Sequence, residues 1–252
     1  MRCWSAVATS ACSADRSGES QFPAGRRNRG GPARAQVRRL RPMIIAIDGP
    51  AASGKSSVAR TVARELKALF LNTGAMYRAV GRAALEAGVD LDDAIACGAV
   101  AETLELDFDA NGGIRVEGEP VDLDGEVLGS AASRVAAHPE VRSEMVARQR
   151  AISEGRTVVT EGRDTTTVVF PDAEHKFFLW ASPEERARRR AEEEGAPEKL
   201  EEFIADLKTR DRRDTDRPIA PLRQAVGATR IDTDGMPLAE VVALVLKQVR
   251  GT

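Results

Sequence analysis

Short runs of β-branched and aromatic residues alternate along the chain with longer segments in which apolar residues recur every three or four positions. The short runs predict buried strands at 43–48, 68–71, 157–160, 176–180 and 230–232. The longer segments predict helices at 55–67, 74–87, 92–103, 130–153, 183–194, 198–213 and 237–249. Strands that alternate with helices predict an α/β fold, a doubly wound parallel sheet with helices on both faces.

One segment departs from this plan. Between 104 and 121, apolar and polar residues alternate on both sides of Asn111-Gly112-Gly113. Alternation around a glycine turn is typical of a β-hairpin. The sequence therefore predicts a small hairpin inserted between two helices of the main plan.

Residues 1–42 differ in composition from the rest. They contain nine of the 37 basic residues, all arginine, but only two of the 39 acidic residues, Asp15 and Glu19. Without an apolar period, such a segment is predicted to be disordered. Two interpretations stay open: a basic arm that touches nucleic acid or an acidic partner, and a translated segment upstream of a natural start at Met43. We favour the second, because ordered patterning begins abruptly at Met43.

The remaining 28 basic and 37 acidic residues give 43–252 a net negative charge. No nucleic-acid partner is expected for this part, because phosphate backbones are bound by positive surfaces. Cys3, Cys12 and Cys97 have neither metal-ligand nor redox spacing, which favours a reducing cytoplasm. No apolar run approaches the roughly 18–20 residues that span a bilayer. We expect a cytoplasmic monomer with no membrane partner.

A phosphate-binding motif follows the first predicted strand. Residues 49–56 fit GxxxxGK[ST] at every fixed position and open a predicted helix. Backbone N–H groups and the helix N-terminus would hold phosphate oxygens there. Lys55 would contact the β- and γ-phosphates and Ser56 would ligate a metal, so ATP and Mg²⁺ are expected. The predicted nucleotide-binding residues are Gly49, Pro50, Ala51, Ala52, Ser53, Gly54, Lys55, Ser56 and Ser57.

This motif alone does not separate kinases from GTPases or transport ATPases. The sequence contains neither the NKxD pattern of a GTPase nor the LSGGQ pattern of an ABC-type ATPase. A DxxG match at 232–235 lies near the C-terminus, where chance is the better interpretation. A kinase is favoured, and a kinase needs a second anion site for its acceptor.

Arginines at predicted loop ends offer that second site. Thr73, Tyr77 and Arg78 follow the second strand. Arg163 and Asp164 follow the strand at 157–160, at the carboxyl edge where doubly wound sheets bind ligands. A guanidinium suits this place because it pairs with phosphate through two hydrogen bonds. Each arginine taken singly is more typical of a surface side chain than of a binding site.

Two denser clusters are the RDRRDTDR run at 210–217 and the arginines of the 183–194 helix. Arg186 and Arg190 lie four residues apart and share a helix face. They would meet the transferring phosphoryl group if this helix belonged to a mobile lid. For both clusters a salt-bridged surface stays an alternative. The predicted catalytic residues are Lys55, Arg163, Arg186 and Arg190.

Five segments, in this order and spacing, resemble the bacterial cytidylate kinase family, and together they cover nearly all of 43–252. They are IDGPAASGKS at 47–56, TGAMYR at 73–78, AASRVAAHPEVR at 131–142, EGRD with TVVFPDA within 161–173, and RDRRDTDR with APL within 210–222.

The resemblance implies an ATP-dependent kinase for CMP and dCMP within a domain at 43–252. It also implies an acceptor-binding subdomain at about 73–153 and a lid at about 183–217. Ser133, Arg142 and Asp164 would read the cytosine edge. A carboxylate there would accept a hydrogen bond from the C4 amino group, which uracil lacks.

The same resemblance implies the remaining contacts to the acceptor nucleotide. Arg78, Arg163 and Arg217 would hold its phosphate, and Arg210 and Asp214 would contact its sugar hydroxyls. Thr73 and Tyr77 would complete the pocket. The implied acceptor-binding residues are therefore Thr73, Tyr77, Arg78, Ser133, Arg142, Arg163, Asp164, Arg210, Asp214 and Arg217.

Three positions depart from the family pattern. The family usually has isoleucine, glycine and threonine after GRD, whereas this chain has Thr165-Thr166-Thr167, so Thr166 stands at the glycine position. If that position requires a positive φ, Thr166 would be strained. Gly227 stands where the family commonly has aspartate. Two rival functions stay open: a P-loop kinase for another small acceptor, and an NTP-binding regulatory module without transfer.

Overall fold

The computed structural model describes residues 41–109, 112–123 and 125–251, which belong to one compact unit. Most of the predicted basic extension, with Cys3 and Cys12, lies outside the described residues, as does Asn111 of the predicted turn. No helix of the described residues has the length and apolar character that crossing a membrane requires.

A parallel five-stranded sheet forms the centre of the fold. Its strands are β1 (Ile44–Asp48), β2 (Leu69–Asn72), β6 (Val158–Gly162), β7 (His175–Trp180) and β8 (Thr229–Asp232), in the spatial order β2-β6-β1-β7-β8. All four pairings are parallel. Asp48 stands opposite Gly162, and Asn72 stands opposite Glu161. The carboxyl ends of β1, β2 and β6 therefore meet at one edge of the sheet, as the α/β prediction requires.

Helices cover both faces of this sheet. They are α1 (Lys55–Leu66), α2 (Thr73–Glu86), α3 (Ala94–Thr103), α4 (Glu126–Val135), α5 (Pro139–Ser153), α6 (Pro183–Glu194), α7 (Leu200–Asp216) and α8 (Leu238–Arg250). One core lies between the sheet and α1 with α8, and it includes the fully buried Phe177. A second core joins α2, α3, α4 and α5 around Met76 and Met145. Because helices bury both faces of the sheet, the strands are continuous runs of apolar residues rather than alternating ones.

The helical segment predicted at 130–153 consists of two helices. Helix α4 ends at Val135, and α5 begins at Pro139 after His138 in an extended conformation. Proline favours the first turn of a helix because its missing N–H would have no partner there. The residue before proline avoids the helical region, so the chain must turn between the two helices.

The hairpin predicted at 104–121 is confirmed and has a third strand. Strands β3 (Leu106–Phe108) and β4 (Ile114–Val116) pair antiparallel, and β5 (Glu119–Pro120) pairs with β4. Ile114 is buried and joins the core of α2 and α3. The insertion is thus anchored to the helices beside it rather than to the central sheet.

Gly49, in the loop after β1, lies so close to strand β7 that a side chain at this position should destabilise the fold. A Cβ at Gly49 would lie 2.1 Å from the carbonyl oxygen of Leu179 in β7. Gly49→Ala should therefore lower the free energy of unfolding by about 3 kcal/mol, because the backbone must shift to relieve the clash. Urea denaturation measures this loss.

Gly88→Ala is the matched control for that substitution. Gly88 has a φ of +68°, but a Cβ there would meet no atom within 4 Å. Left-handed strain alone should cost about 1 kcal/mol. Equal losses for the two variants would show that Gly49 has room for a side chain.

Candidate active site

The loop between β1 and α1 has the geometry of a phosphate-binding loop. Gly54, with a φ of +83°, precedes Lys55 as the first residue of α1, and Ala52 has a φ of +56°. The buried Lys55 Nζ donates to the Pro50 carbonyl at 2.5 Å and to Ser53 Oγ at 3.4 Å. The lysine therefore folds back across the mouth of its own loop.

Burial, together with the charge of Arg163, lowers the pKa of Lys55 to about 7, although Glu161 and Asp48 oppose the shift. A cation held in this way is poorly solvated and has a positive neighbour. Polyphosphate oxygens would relieve both costs, because they supply the negative charge that the site lacks.

Ser56 and Glu161 form an oxygen pair beside this loop. Ser56 Oγ donates to Glu161 Oε1 at 3.0 Å, across from α1 to the end of β6. Hydroxyl and carboxylate oxygens suit Mg²⁺, which binds nucleotide phosphates through one or two protein ligands. The predicted metal ligand Ser56 thus fits a magnesium site, and Glu161 is a further candidate ligand. The sequence motif does not identify Glu161, because its partner lies 105 residues away.

A cleft of about 210 Å³ opens between the phosphate-binding loop and the start of α2. It is lined by Ala51, Ala52, Lys55 and Ser56 from the loop side. Every predicted acceptor-binding residue also lines it: Thr73, Tyr77, Arg78, Ser133, Arg142, Arg163, Asp164, Arg210, Asp214 and Arg217. The fold therefore brings together residues that the sequence spreads over 145 positions, from Thr73 to Arg217.

Asp164 lies in a buried cluster of charges at one end of the cleft. Its carboxylate forms ion pairs with Arg142 and, at 3.3 Å, with Arg217. Arg142 also donates to Tyr77 Oη at 3.4 Å. Burial raises the pKa of Tyr77 to about 12, so its hydroxyl stays protonated and can donate. This end of the cleft presents carboxylate, guanidinium and phenol groups in a fixed arrangement.

Asp214 organises the other side of the cleft. It accepts from Arg163 Nε at 2.8 Å and from Ser133 Oγ at 3.4 Å. Burial alone would raise the pKa of Asp214, but Arg163 holds it below its usual value. Asp214 therefore stays ionised and fixes the Arg163 side chain, which is 18% exposed, at the cleft wall.

Two arginines at the cleft have N–H groups without a hydrogen-bond acceptor. Among the described residues, Nε of Arg78 and Nε of Arg210 are buried and unpaired. Burial, together with the charge of Arg163, lowers the pKa of Arg210 to about 10. Unpaired guanidinium donors next to like charge favour a bound anion strongly.

The two predicted lid arginines do not line this cleft. Arg186 is buried and donates to the carbonyls of Ala181 and Ala51, each at 3.0 Å, and to Asp211 Oδ2 at 2.5 Å. Arg190 pairs with Glu194 at 2.8 Å and lines a neighbouring cavity of about 380 Å³. In this conformation Arg186 joins the phosphate-binding loop to α7 instead of facing the cleft, so a direct contact with the phosphoryl group would require it to move.

Arg189 is a further candidate, which the argument from the four-residue spacing of Arg186 and Arg190 did not single out. It donates to Thr233 Oγ1 at 3.1 Å and pairs with Glu185 at 2.8 Å. Its Nη1 lies 3.8 Å from where a Cβ of Gly54 would be. Only the packing of α6 against the loop reveals this placement.

The threonines at 165–167 are not strained. Thr165–Val169 form a π-helical turn, and Thr166 is absent from the described residues with positive φ. The condition for strain is therefore not met. Gly227 has a φ of +76° in an exposed turn, where aspartate is better tolerated than most residues.

Comparison with known proteins agrees with this arrangement. The family model described as cytidylate kinase matches residues 45–251. The chain is 48% identical over 217 residues to a cytidylate kinase of Geobacillus thermodenitrificans, covering 83% of this chain and 97% of that protein. It is 42% identical over 219 residues to a cytidylate kinase of Halalkalibacterium halodurans, with 84% and 99% covered.

Among solved structures, a gluconokinase from Sinorhizobium meliloti shows a TM-score of 0.45 and 18% identity over 81% of this chain and 90% of that chain. This likeness is too distant to bear on function. The family match and the two relatives do bear on it, because the family model spans the phosphate-binding loop, the cleft and every strand of the central sheet but the first residue of β1. The chain belongs to the cytidylate kinase family.

Proposed function

We propose that this protein transfers the γ-phosphoryl group of ATP to CMP or dCMP, giving ADP and the cytidine diphosphate. The observation that carries the proposal is the single cleft in which Lys55 and Ser56 face Arg78, Arg163 and Arg217. A kinase for a phosphorylated acceptor needs two anion sites that open on one space.

The donor would bind at residues 49–57, with backbone N–H groups and Lys55 on its phosphates. Mg²⁺, held through Ser56 and Glu161, would neutralise phosphate charge when bound. Arg186 and Arg190, in the lid at about 183–217, would approach the phosphoryl group only after the lid moves.

The acceptor would bind in the subdomain at about 73–153. Arg78, Arg163 and Arg217 would hold its phosphate, because each presents guanidinium donors to the cleft. Arg210 and Asp214 would contact the sugar hydroxyls. To enter, the phosphate must compete with Asp214 for Arg163 and with Asp164 for Arg217.

Cytosine would be read by Ser133, Arg142 and Asp164. The Asp164 carboxylate would accept from the C4 amino group, while Arg142 would donate to the ring carbonyl or N3. Uracil would place a carbonyl oxygen against Asp164, which repels it. A buried polar site of this kind discriminates strongly, because the wrong base leaves a charged group unpaired.

The transfer step needs little proton chemistry. The acceptor phosphate is largely ionised near pH 7, so one of its oxygens can attack the γ-phosphorus without a strong base. Lys55 and Arg163 would stabilise the charge that develops on the transferring group. We place the reaction in pyrimidine nucleotide metabolism of the cytoplasm and propose a monomer as the working form.

An acceptor panel tests the proposed function. ADP release is measured with ATP, Mg²⁺ and CMP, dCMP, UMP or AMP, and a reaction without acceptor reports ATP hydrolysis. We expect kcat/KM for CMP and dCMP to exceed that for UMP at least about a hundredfold, because the Asp164 contact is lost with uracil. A higher kcat/KM for AMP or UMP than for CMP would overturn the proposed acceptor. If the protein bound ATP but released no more ADP with an acceptor than without one, the proposal that it is a kinase would be wrong.

A further inference from the structure

The end of β1 carries a buried carboxylate that has no part in the steps above. Asp48 is 0% exposed and directly precedes Gly49 of the phosphate-binding loop. Its Oδ1 accepts from the backbone N–H of Thr165 at 2.9 Å and from Thr165 Oγ1 at 2.7 Å. Its Oδ2 accepts from the N–H of Thr166 at 2.7 Å and from Thr166 Oγ1 at 2.5 Å.

Four donors on one carboxylate offset the cost of burying it. Burial raises the pKa of Asp48, and the hydrogen bonds from Thr166 and Thr165 oppose that rise. A buried carboxylate without such donors would be strongly unfavourable. The hydroxyls of Thr165 and Thr166 supply two of the four donors, so both side chains contribute directly to satisfying the buried carboxylate.

These hydrogen bonds join the two halves of the cleft. Thr165 directly follows Arg163 and Asp164, so its bonds to Asp48 attach that segment to the strand that leads into the phosphate-binding loop. The space around the junction is tight: a Cβ at Gly162 would lie 2.7 Å from both Thr165 Cγ2 and Thr73 Oγ1. The segment cannot slide along β1 without breaking these contacts.

We propose that Asp48 and the hydroxyls of Thr165 and Thr166 form a strut that sets the position of Arg163 and Asp164 relative to the phosphate-binding loop. The strut touches no substrate in the scheme above, so its members are positioning residues. This inference rests on the proposed function, because the strut matters only if both anion sites serve one transfer. Thr165 and Thr166 both depart from the family pattern, and glycine in place of Thr166 would offer only an N–H.

The test compares substitutions at Thr166 with one at Thr167. Thr166→Val keeps the volume, removes the hydroxyl and excludes water, whereas Thr166→Ser keeps the hydroxyl. Thr167→Val is the matched control, because the Thr167 hydroxyl reaches only the carbonyl of Asp164, at 3.4 Å. Kinetics for CMP and ATP are measured at a temperature where circular dichroism shows every variant folded.

We expect Thr166→Val to lower kcat/KM for CMP about tenfold to a hundredfold, since small misplacements of positioning groups have effects of this size. KM for ATP should stay within about twofold of wild type, because the phosphate-binding loop itself is unchanged. Thr166→Ser should restore activity. Thr166→Gly should fall between serine and valine, because a water molecule can occupy the vacated space and donate in place of the hydroxyl.

The proposed role of the strut is wrong if wild type is active on CMP and Thr166→Val has the same kinetics as Thr167→Val. It is also wrong if Thr166→Val changes only the thermal stability. A wild-type protein inactive on CMP would instead defeat the proposed function. Should Thr166→Val fail to fold, Asp48→Asn takes its place, because one of the two accepting oxygens becomes an amide nitrogen, which cannot accept from the N–H of Thr165 or Thr166. For Asp48→Asn we again expect a lower kcat/KM for CMP with little change in KM for ATP. If this difference is absent, the proposed role of the strut is wrong.

Discussion

Replacing Lys55 with methionine should lower kcat about a thousandfold while leaving the folded protein at least as stable as wild type. The rate falls because the site loses the cation that stabilises charge on the transferring phosphoryl group, and single preorganised donors have effects of this order. Stability is kept because burial already lowers the pKa of Lys55 to about 7. Below the ordinary lysine pKa the unfolded chain holds a charged lysine at no cost, whereas the folded protein must bury it.

Single-turnover transfer and thermal unfolding at pH 7 measure the two effects. Lys247→Met is the matched control, because Lys247 is exposed in the last turn of α8, far along the chain from the loop. The control should change neither rate nor stability. If Lys55→Met kept a tenth of the wild-type rate, Lys55 would not be a catalytic residue. If it unfolded far below wild type, the hydrogen bond to Pro50 would be mainly structural.

Local signals explain why most elements could be predicted from the sequence. Helix α6 has the predicted bounds of 183–194, because Ser182 caps its start, Pro183 opens it and Gly195 adopts a left-handed conformation at its end. The apolar run at 43–48 predicts the strand that is observed at 44–48, and the glycine motif predicts the loop after it. Each of these features depends on residues close together in the chain.

The rest depends on partners far apart in sequence. The π-helical turn at 165–169 is held by Asp48, 117 residues earlier, and no local pattern reports such a contact. Arg186 has the spacing of an exposed lid residue, yet it is buried because Ala51 and Asp211 offer acceptors in three dimensions. The resemblance to the family therefore located most of the cleft residues, whereas packing decided which arginines face the cleft in this conformation.

Arg163 should be the acceptor-side residue whose loss has the largest effect on the reaction. Its guanidinium is fixed by Asp214 at 2.8 Å and lines the cleft beside Lys55. Arg163→Ala should lower kcat/KM for CMP about a thousandfold, the lower end of the effect of an arginine that stabilises a transferring phosphoryl group. Arg163→Lys should recover only part of the loss, because an ammonium keeps the charge but not the two-pronged geometry.

The charges around Lys55 exclude one trivial explanation of such a loss. After burial, Arg163 is the strongest influence that lowers the pKa of Lys55, so removing Arg163 raises that pKa and leaves Lys55 more fully charged. A rate lost in Arg163→Ala cannot then come from a discharged lysine, and it must come from the missing guanidinium. Arg212→Ala, at an exposed position of α7, is the control and should match wild type in steady-state kinetics. If Arg163→Ala retained more than about a tenth of wild-type kcat/KM, the ion pair with Asp214 would be structural, and Arg78 and Arg217 would have to hold the acceptor phosphate without it.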